Sequence, residues 1–434
     1  MIISGLMANT IPVYNLKAVI LETGLNPATL RAWERRYGLL KPQRSPGGHR
    51  LYSGQDIALL KWLMARQAEG LSISRAIQMW HNLEESRSQE SQPHSPAAGA
   101  EGSKLDEIRH QWIAACLAFD EPEAERTLSE AFVMTAPEII CTEVLQKGLA
   151  EIGSGWVAGA VSVQQEHFAS ALALRRLNTL CSAAATATRP ERHLAACPSG
   201  EAHDFVLLLV TFLLRRRGWE VVYLGANVPL SHLDMTLRAT SPRLILATAQ
   251  TLSGAASLRT MADYATSHGV PLAYGGGVFS HLPTLVQRIS GYFLGNELMA
   301  VPRMVENLLA ALPPLPPAQP VPADYAETLA KFIEKQGLIT SAIAALLQGE
   351  QEHLAQIEEA NAQVTQCIAS ALALGDIQYL KPSVAWLDGL LRDDGQSPAS
   401  AARYFAAYRQ AVKDHLGDRA ALIVASLDHL QPAD

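Results

Sequence analysis

The residues with the clearest chemical potential lie just after a short apolar strand near the middle of the chain. The pattern predicts a strand over 194–197 and a helix over 204–217, and Glu201, His203 and Asp204 stand at the turn between them. In an open α/β sheet this turn lies at the carboxyl ends of the strands, where ligands bind. An imidazole there can face a cofactor, so His203 is the first candidate for a binding residue.

Other polar residues stand at spacings that a ligand site would use. Trp156 and the pair Glu166-His167 are separated by nine residues, and the pair lies near the start of a predicted helix over 163–180. An ordinary amphipathic helix with a surface glutamate and histidine would give the same local pattern. Further along the chain come a T-x-Q motif over 248–250 and a run of three glycines over 275–277.

Length and composition indicate a globular protein of several domains. The 434 residues are enough for about three domains of ordinary size. A content of 48% hydrophobic and 18% charged residues is typical of soluble proteins. The five cysteines have no C-x-x-C spacing, which predicts a reducing compartment and no zinc cage. No long apolar run or signal-peptide pattern occurs, so we expect a cytoplasmic protein without membrane contact.

Charge is distributed unevenly along the chain. Residues 1–80 hold ten Lys or Arg and four acidic residues, a net charge of +6, which leaves −13 for the rest of a chain whose total is −7. A basic head on an acidic body fits a head that meets a polyanion and a body that does not. Only the head is therefore a candidate for nucleic-acid binding.

Two compositional breaks divide the chain. Residues 85–102 are small and polar, and residues 313–322 are rich in proline, which predicts a flexible linker and a stiff extended spacer. The predicted fold class is multi-domain α and α/β. Its parts are a winged helix-turn-helix head over 1–84, a helical bundle over 103–187, a doubly wound, Rossmann-like sheet of the flavodoxin type over 188–312, and a C-terminal helical bundle over 323–434.

The basic head carries a helix-turn-helix pattern. A short helix over 16–22 is followed by Asn26-Pro27, an N-cap and first-turn proline, and by a second helix that runs to Tyr37-Gly38. The second helix of such a pair enters the major groove of DNA. Two extended pieces around Pro46-Gly47-Gly48 then predict a wing. A solvated basic helix face is the alternative explanation of the charges.

This region resembles the DNA-binding domain of the MerR family, through the segments TLRAWERRYGL over 29–39 and GGHRLY over 47–52. The resemblance implies a double-stranded DNA operator as partner. Trp33 and Tyr37 are aromatic residues on a short amphipathic helix, where a core role is the common alternative. The residues expected to contact DNA are Arg31, Arg35, Arg36 and Tyr37 on the recognition helix and Arg44, His49, Arg50 and Tyr52 in the wing.

The body resembles that of cobalamin-dependent MerR regulators of the CarH type. The motifs W-x9-E-H, E-x-H, T-x-Q and G-G-G occur here in the order seen in that group, together with the segment GWEVVYLGANVP over 218–229. The resemblance covers roughly residues 10–312. It implies that 103–187 forms a four-helix-bundle cap over a cobalamin-binding domain at 188–312, in a regulator that is not an enzyme.

The resemblance also implies a role for each site residue. His203 replaces the cofactor's own lower base as the ligand of cobalt, a metal that imidazole suits, and Glu201 or Asp204 fixes the ring tautomer. Trp156 caps the upper face of adenosylcobalamin, with Glu166 and His167 beside the adenosyl group. The residues expected around the inserted nucleotide tail are Thr248, Thr251, Ser253, Gly275, Gly276 and Gly277, the glycines because they allow close backbone approach.

Two departures from the family pattern keep other hypotheses open. Val206 stands where glycine is expected after the E-x-H motif, and Val157 stands where light sensors of this type carry a second histidine ligand. The main hypothesis is a repressor that adenosylcobalamin assembles on DNA and that light dissociates. The alternatives are a MerR-type regulator that does not use cobalamin and a corrinoid-dependent enzyme subunit, which the DNA-binding head disfavours.

The tail over 323–434 resembles the helical C-terminal domains of some cobalamin-binding sensors, a few of which hold a bilin. His353, His415 and His429 are available as contacts for such a chromophore, although a lone histidine on an amphipathic helix is more often a surface or core residue. Dimerisation is the other role for the tail. We expect a homo-dimer or a tetramer.

Overall fold

The computed structural model describes residues 14–23, 25–27, 29–30, 43–44, 50–53, 56, 59–60, 63–64, 98–347, 354–381 and 398–428. The chain forms two compact units, Met1–Gly99 and Ala100–Asp434. Within the described ranges, no helix is long and apolar enough to cross a bilayer.

The head begins with a helix and a small antiparallel sheet. Helix α1 (Leu16–Thr23) ends where the Thr23 hydroxyl donates to the Val19 carbonyl at 2.7 Å. Strand β3 pairs with both other strands, which confirms the two extended pieces predicted for the wing. Most of the predicted recognition helix, 31–38, lies outside the described residues. The strands are β1 (Tyr14–Asn15), β2 (Gln43–Arg44) and β3 (Arg50–Tyr52).

The next segment is entirely helical, and apolar side chains from every element in it share one core. A capping box starts its last helix, because Ser162 and Gln165 each satisfy the other's backbone N–H. The first helix begins at Ala98, so the final residues of the predicted linker 85–102 are helical. The elements are α2 (Ala98–Leu117), α3 (Glu121–Met134), α4 (Pro137–Ile140), a π-helix (Cys141–Gln146), α5 (Lys147–Val157) and α6 (Val163–Ser182).

A five-stranded parallel sheet follows, in the order β5-β4-β6-β7-β8. This is the doubly wound order of the flavodoxin type, which confirms the predicted fold class. The order reverses between β4 and β6, so the loops after these strands meet at the edge where ligands bind. The elements are β4 (Arg192–Pro198), α7 (Phe205–Arg216), β5 (Glu220–Val228), α8 (Leu233–Thr240), β6 (Leu244–Thr248), α9 (Leu252–Ser267), β7 (Leu272–Gly275), α10 (Gly277–His281), β8 (Tyr292–Phe293) and α11 (Val301–Ala311).

Helix α7 is buried on both faces, which explains its almost uninterrupted apolar sequence. Leu207 and Val210 pack against the sheet. Leu208 and Phe212, on the opposite face, join the core of the helical segment. The helix that begins just after His203 therefore connects the two layers of this unit.

The tail packs on the α/β block rather than standing apart from it, since its apolar side chains share one core with those of α9. The proline-rich segment 313–322 runs beside the sheet, where the Pro316 carbonyl accepts from the Gly291 N–H at 3.2 Å. Arg288 donates to the carbonyls of Pro320 and Gly375, both at 3.3 Å, and so ties the segment to the tail. The tail helices are α12 (Ala323–Leu346), α13 (Leu354–Leu374), α14 (Pro398–Leu416) and α15 (Ala421–Asp428).

His193, at the start of β4, makes the fold sensitive to acid. Its ring is fully buried, neither nitrogen has a hydrogen-bond partner among the described residues, and the nearest aromatic ring, that of Trp219, lies edge-on at 6.0 Å. Burial lowers the pKa of His193 to about 4. Between this value and about 6.5, the pKa in an unfolded chain, the unfolded state binds the extra proton, so stability falls as the pH falls.

Between pH 7.5 and pH 5 we expect His193→Leu to remove about 2 kcal/mol of this acid-induced loss, because pH 5 lies below the pKa of the unfolded chain and still above that of the folded one. Urea unfolding of the variant and of the natural protein at pH 7.5 and pH 5 measures the effect. His281→Leu, at an exposed histidine, is the matched control. Equal losses of stability in all three proteins would show that His193 does not titrate in this range.

Candidate functional site

The turn after β4 places Glu201 and His203 in direct contact. The Glu201 side chain is fully buried, and its Oε1 accepts from the His203 backbone N–H at 3.1 Å and lies 2.7 Å from the ring Nδ1. Asp204 binds another neighbour instead, because its Oδ2 accepts from the Tyr223 hydroxyl at 2.7 Å. Of the two predicted ring partners, the geometry therefore supports Glu201.

The second oxygen of Glu201 is anchored at the start of α9. Oε2 accepts from the backbone N–H of Gln250 at 2.8 Å and from the N–H and hydroxyl of Thr251, both at 3.2 Å. Thr251 is the N-cap of α9, where N–H groups lack intrahelical partners and carry partial positive charge, so this end of the helix stabilises the carboxylate, and the Gln250 N–H just before it adds a further donor. Gly254 leaves room for this contact, since a Cβ there would lie 2.2 Å from Oε2. Sequence reasoning misses Gly254, because a lone helical glycine gives no sign of the carboxylate beside it.

These contacts set the protonation of the pair. Burial alone would raise the pKa of Glu201, but hydrogen bonds from His203 and Gln250 bring it below its ordinary value. The bond to Glu201 raises the pKa of His203 against desolvation, and the charge of Glu166 acts in the same direction. The His203 side chain is 63% exposed, and its Nε2 makes no hydrogen bond among the described residues. In the tautomer that donates from Nδ1, Nε2 is available to bind a metal.

The helical segment contributes a second polar group where α5 and α6 meet. The Glu166 carboxylate accepts from the Ser170 hydroxyl at 2.7 Å and lies 3.7 Å from Nε2 of His167, whose side chain is 76% exposed. Trp156 is half-buried against the core that α7 also joins. The negative charge of Glu166 also raises the pKa of His203, so the acid on α6 acts electrostatically on this histidine.

A cavity of about 30 Å³ lies between α7 and the ends of β6 and β7, with Val206, Thr248 and Gly275 among its walls. Thr248 is the one hydroxyl predicted for the nucleotide tail that lines it. Thr251 and Ser253 serve the start of α9 instead: their hydroxyls lie 3.1 Å apart, and that of Thr251 accepts from the Gly254 N–H.

The three consecutive glycines have different roles. Gly276 has φ +125°, and a Cβ there would lie 2.0 Å from the carbonyl oxygen of Ala249. At Gly277 a Cβ would lie 2.9 Å from Oε1 of Gln250, which accepts the Gly277 N–H. A Cβ at Gly275 would meet nothing closer than 3.7 Å. Close approach at Gly276 and Gly277 thus involves the protein's own chain, whereas Gly275 leaves the cavity open.

Few of the residues predicted to contact DNA are described. The strand register sets Arg44 opposite Arg50, and the Arg50 side chain is half-buried. Tyr52 corrects the prediction, because its ring is fully buried in the head and supports β3 rather than reaching DNA. The remaining predicted contacts lie outside the described residues: Arg31, Arg35, Arg36, Tyr37 and His49.

Two family models match separate parts of the chain. The family model described as MerR HTH family regulatory protein matches residues 14–83, and the one described as B12 binding domain matches residues 108–180. Among solved structures, the monomethylamine corrinoid protein of Methanosarcina barkeri aligns at a TM-score of 0.40 with 16% identity, over 47% of this chain and 99% of that chain.

Two transcriptional repressors of Myxococcus xanthus are similar over most of their own length. The HTH-type transcriptional repressor CarH is 30% identical over 297 residues, which cover 65% of this chain and 96% of that protein. The HTH-type transcriptional repressor CarA is 34% identical over 222 residues, which cover 50% of this chain and 70% of CarA. The chain therefore belongs to the MerR family of helix-turn-helix regulators, in the group that joins this head to a B12-binding domain and includes CarH and CarA.

Proposed function

We propose that the protein is a transcriptional repressor whose binding to operator DNA depends on adenosylcobalamin held between the helical segment and the sheet. The His203–Glu201 pair is the observation that carries the proposal. A carboxylate that is fully buried is costly unless its hydrogen bonds are satisfied, and here they are satisfied in a way that holds an exposed imidazole in one tautomer. This arrangement supports a metal-containing ligand above His203.

The residues on the metal side of the site fit a corrinoid. His203 would hold the cobalt through Nε2, and Glu201 would orient the ring and increase its basicity. Gln250 has a buried Nε2 with no hydrogen-bond partner among the described residues, so it offers a donor to an acceptor on the ligand. When bound, adenosylcobalamin supplies a cobalt–carbon bond that light breaks.

The opposite side of the site is formed by the helical segment. Trp156 would cover the upper ligand, with Glu166 and His167 beside it. Val157, whose side chain is 49% exposed, carries no ligand atom, so the second imidazole of the light sensors has no counterpart at this position. The proposal therefore concerns cofactor-dependent assembly and DNA binding, and illumination is one arm of its test.

For the tail we propose a role in packing and assembly. Of the three histidines considered for a bilin, His415 is half-buried on α14, while His353 and His429 lie outside the described residues. A bilin finds no support in the described tail. A regulator that assembles as a homo-dimer or tetramer would bind half-sites separated by whole turns of DNA.

The test uses the full-length protein, loaded with adenosylcobalamin in the dark and desalted, to select binding sites from a random pool of duplex DNA. We expect enriched sites with two half-sites about 10 base pairs apart, or a multiple of that. Mobility shifts on an enriched site should weaken when the cofactor is omitted and after illumination. Sizing by light scattering measures assembly in the same samples.

Arginine variants separate DNA contact from general charge. Arg50→Ala should weaken binding to all duplexes and reduce the slope against log salt by about 1. Arg243→Ala, at an exposed arginine of the α/β block, is the charge-matched control and should change neither the affinity for DNA nor the slope against log salt. DNA binding that is equal with and without cofactor would favour a cobalamin-independent regulator. A colourless protein after desalting would overturn the proposed cofactor.

A further inference from the structure

We propose that Val206 makes this site selective for corrinoids whose nucleotide loop ends in a small base or in none. The proposal rests on the proposed function and names the class of corrinoid that the site prefers. Val206 lies three residues after His203 and lines the cavity into which a lower base displaced by His203 would enter. One turn of chain thus supplies the metal ligand and narrows the space behind it.

The cavity is too small for an aromatic base. Its volume of about 30 Å³ is roughly the space of one water molecule, whereas an engineered cavity that binds benzene measures about 150 Å³. The lower base of cobalamin is a dimethylbenzimidazole, two fused rings with two methyl groups, and is larger than benzene. The site therefore accepts the cobalt end of cobalamin without change, whereas this base can enter only at an energetic cost.

The walls of the cavity combine small and branched residues. The small ones lie mainly at the ends of the strands: Ala247, Thr248, Ala273, Gly275, Gly276 and Gly295. The branched ones come from α7, from β6 and from the chain after β8, namely Val206, Leu207, Val210, Leu246, Leu294, Leu298 and Val301. The small residues leave the space, and the branched residues limit it.

Of the seven branched residues, Val206 is the one that can decide specificity. The other six belong to the buried core between α7 and the sheet or pack against it, so their size is fixed by packing. Val206 is half-buried and belongs to none of the hydrophobic core clusters found among the described residues. A β-branched side chain in a helix has essentially one χ1 rotamer, so it cannot swing out of the way.

A fused-ring base would enter only if α7 moved away from the sheet. That movement would disturb two cores at once, because the outer face of α7 packs on the helical segment. Forcing extra atoms into a well-packed site costs enough free energy to weaken the binding of such a base by about tenfold or more. A corrinoid without the base, such as adenosylcobinamide, avoids this cost while keeping its bond to His203.

The experiment measures dissociation constants of the full-length protein for adenosylcobinamide and adenosylcobalamin, by absorbance titration in the dark. We expect the natural protein to bind adenosylcobinamide about tenfold more tightly. Val206→Ala and Val206→Gly should progressively tighten cobalamin binding and leave cobinamide binding nearly unchanged. Val133→Ala, at an exposed helical valine of the same unit, should leave the ratio of the two constants unchanged.

The outcomes distinguish this proposal from the function on which it rests. Equal affinity for the two corrinoids, unaffected by the size of residue 206, overturns the specificity and leaves the cobalamin site intact. Failure of the natural protein and of both Val206 variants to bind either corrinoid overturns the site itself. Thermal unfolding of each variant confirms that it is folded, and Val206→Ala avoids the helix-weakening effect of glycine.

Discussion

Replacing His203 with alanine is expected to weaken corrinoid binding by at least about 100-fold and to shift the visible absorption bands of any corrinoid that remains bound. The change removes the exposed nitrogen of a ring whose other nitrogen lies 2.7 Å from Glu201. It leaves Glu201 bonded to the start of α9, so the fold should lose little stability. Absorbance titration with adenosylcobinamide and adenosylcobalamin measures affinity and spectrum together.

Glu201→Gln tests whether the carboxylate acts through the histidine. An amide of the same size keeps the shape but removes the charge that raises the pKa of His203. Binding requires Nε2 without its proton, so affinity falls as the pH drops below the pKa of His203. In the variant that pKa is lower, and the loss of affinity should move to lower pH. We expect Glu201→Gln to weaken corrinoid binding by about 10-fold at neutral pH. A loss of stability alone could weaken binding, but it would not also displace the pH profile.

Asp204→Asn is the matched control for the neighbouring acid. Because Asp204 accepts from the Tyr223 hydroxyl and not from the ring, this variant should keep the histidine-ligated spectrum. A spectrum that changes in Asp204→Asn but not in Glu201→Gln would reverse the assignment of the ring's partner. A natural spectrum in His203→Ala would exclude histidine ligation altogether.

The part of the site that could be predicted from the sequence is the part encoded in neighbouring residues. A strand, a polar turn and an apolar helix place His203 at the edge of the sheet, and the strand order confirms that edge. The choice between Glu201 and Asp204 could not be made, because it depends on Tyr223 in β5 and on the start of α9. These partners are distant in sequence and adjacent only because the parallel strands β4, β5 and β6 are paired.

The arrangement of the tail shows the same limit at a larger scale. Proline content predicts an extended segment over 313–322, since proline favours extended backbone, and the structure has neither helix nor strand there. Proline content gives no information on what lies beside that segment. Arg288, in a short turn before β8, donates hydrogen bonds to carbonyls of both the segment and the tail. The face of α9 that the tail covers has the sequence of an ordinary apolar helix face, so nothing in it indicates the tail as its partner. Tertiary partners, not local composition, decide whether such a segment separates two parts or joins them.

Gly276→Ala, within the run of three glycines, is the second change with a large expected effect. We expect this one added methyl group to lower the free energy of unfolding by about 4 kcal/mol. Its backbone, at φ +125° and ψ 161°, lies in a region that essentially only glycine occupies. The added Cβ would also lie 2.0 Å from the carbonyl oxygen of Ala249. That oxygen belongs to the backbone just after β6, where the Ala249 N–H is already bonded to the Gly275 carbonyl, so it cannot move away cheaply.

Gly275→Ala is the control, because it adds the same methyl group one residue earlier, where nothing lies closer than 3.7 Å. It should cost less than about 1 kcal/mol, yet it fills part of the cavity and should therefore weaken cobalamin binding more than cobinamide binding. Urea unfolding of the two variants without corrinoid measures the stability difference, and titration of Gly275→Ala measures the ligand effect. If Gly276→Ala were as stable as Gly275→Ala, close backbone packing would not explain the glycine at 276. The contrast separates the two reasons for glycine in one run: at 276 the chain must pass its own backbone, and at 275 space must remain for a ligand.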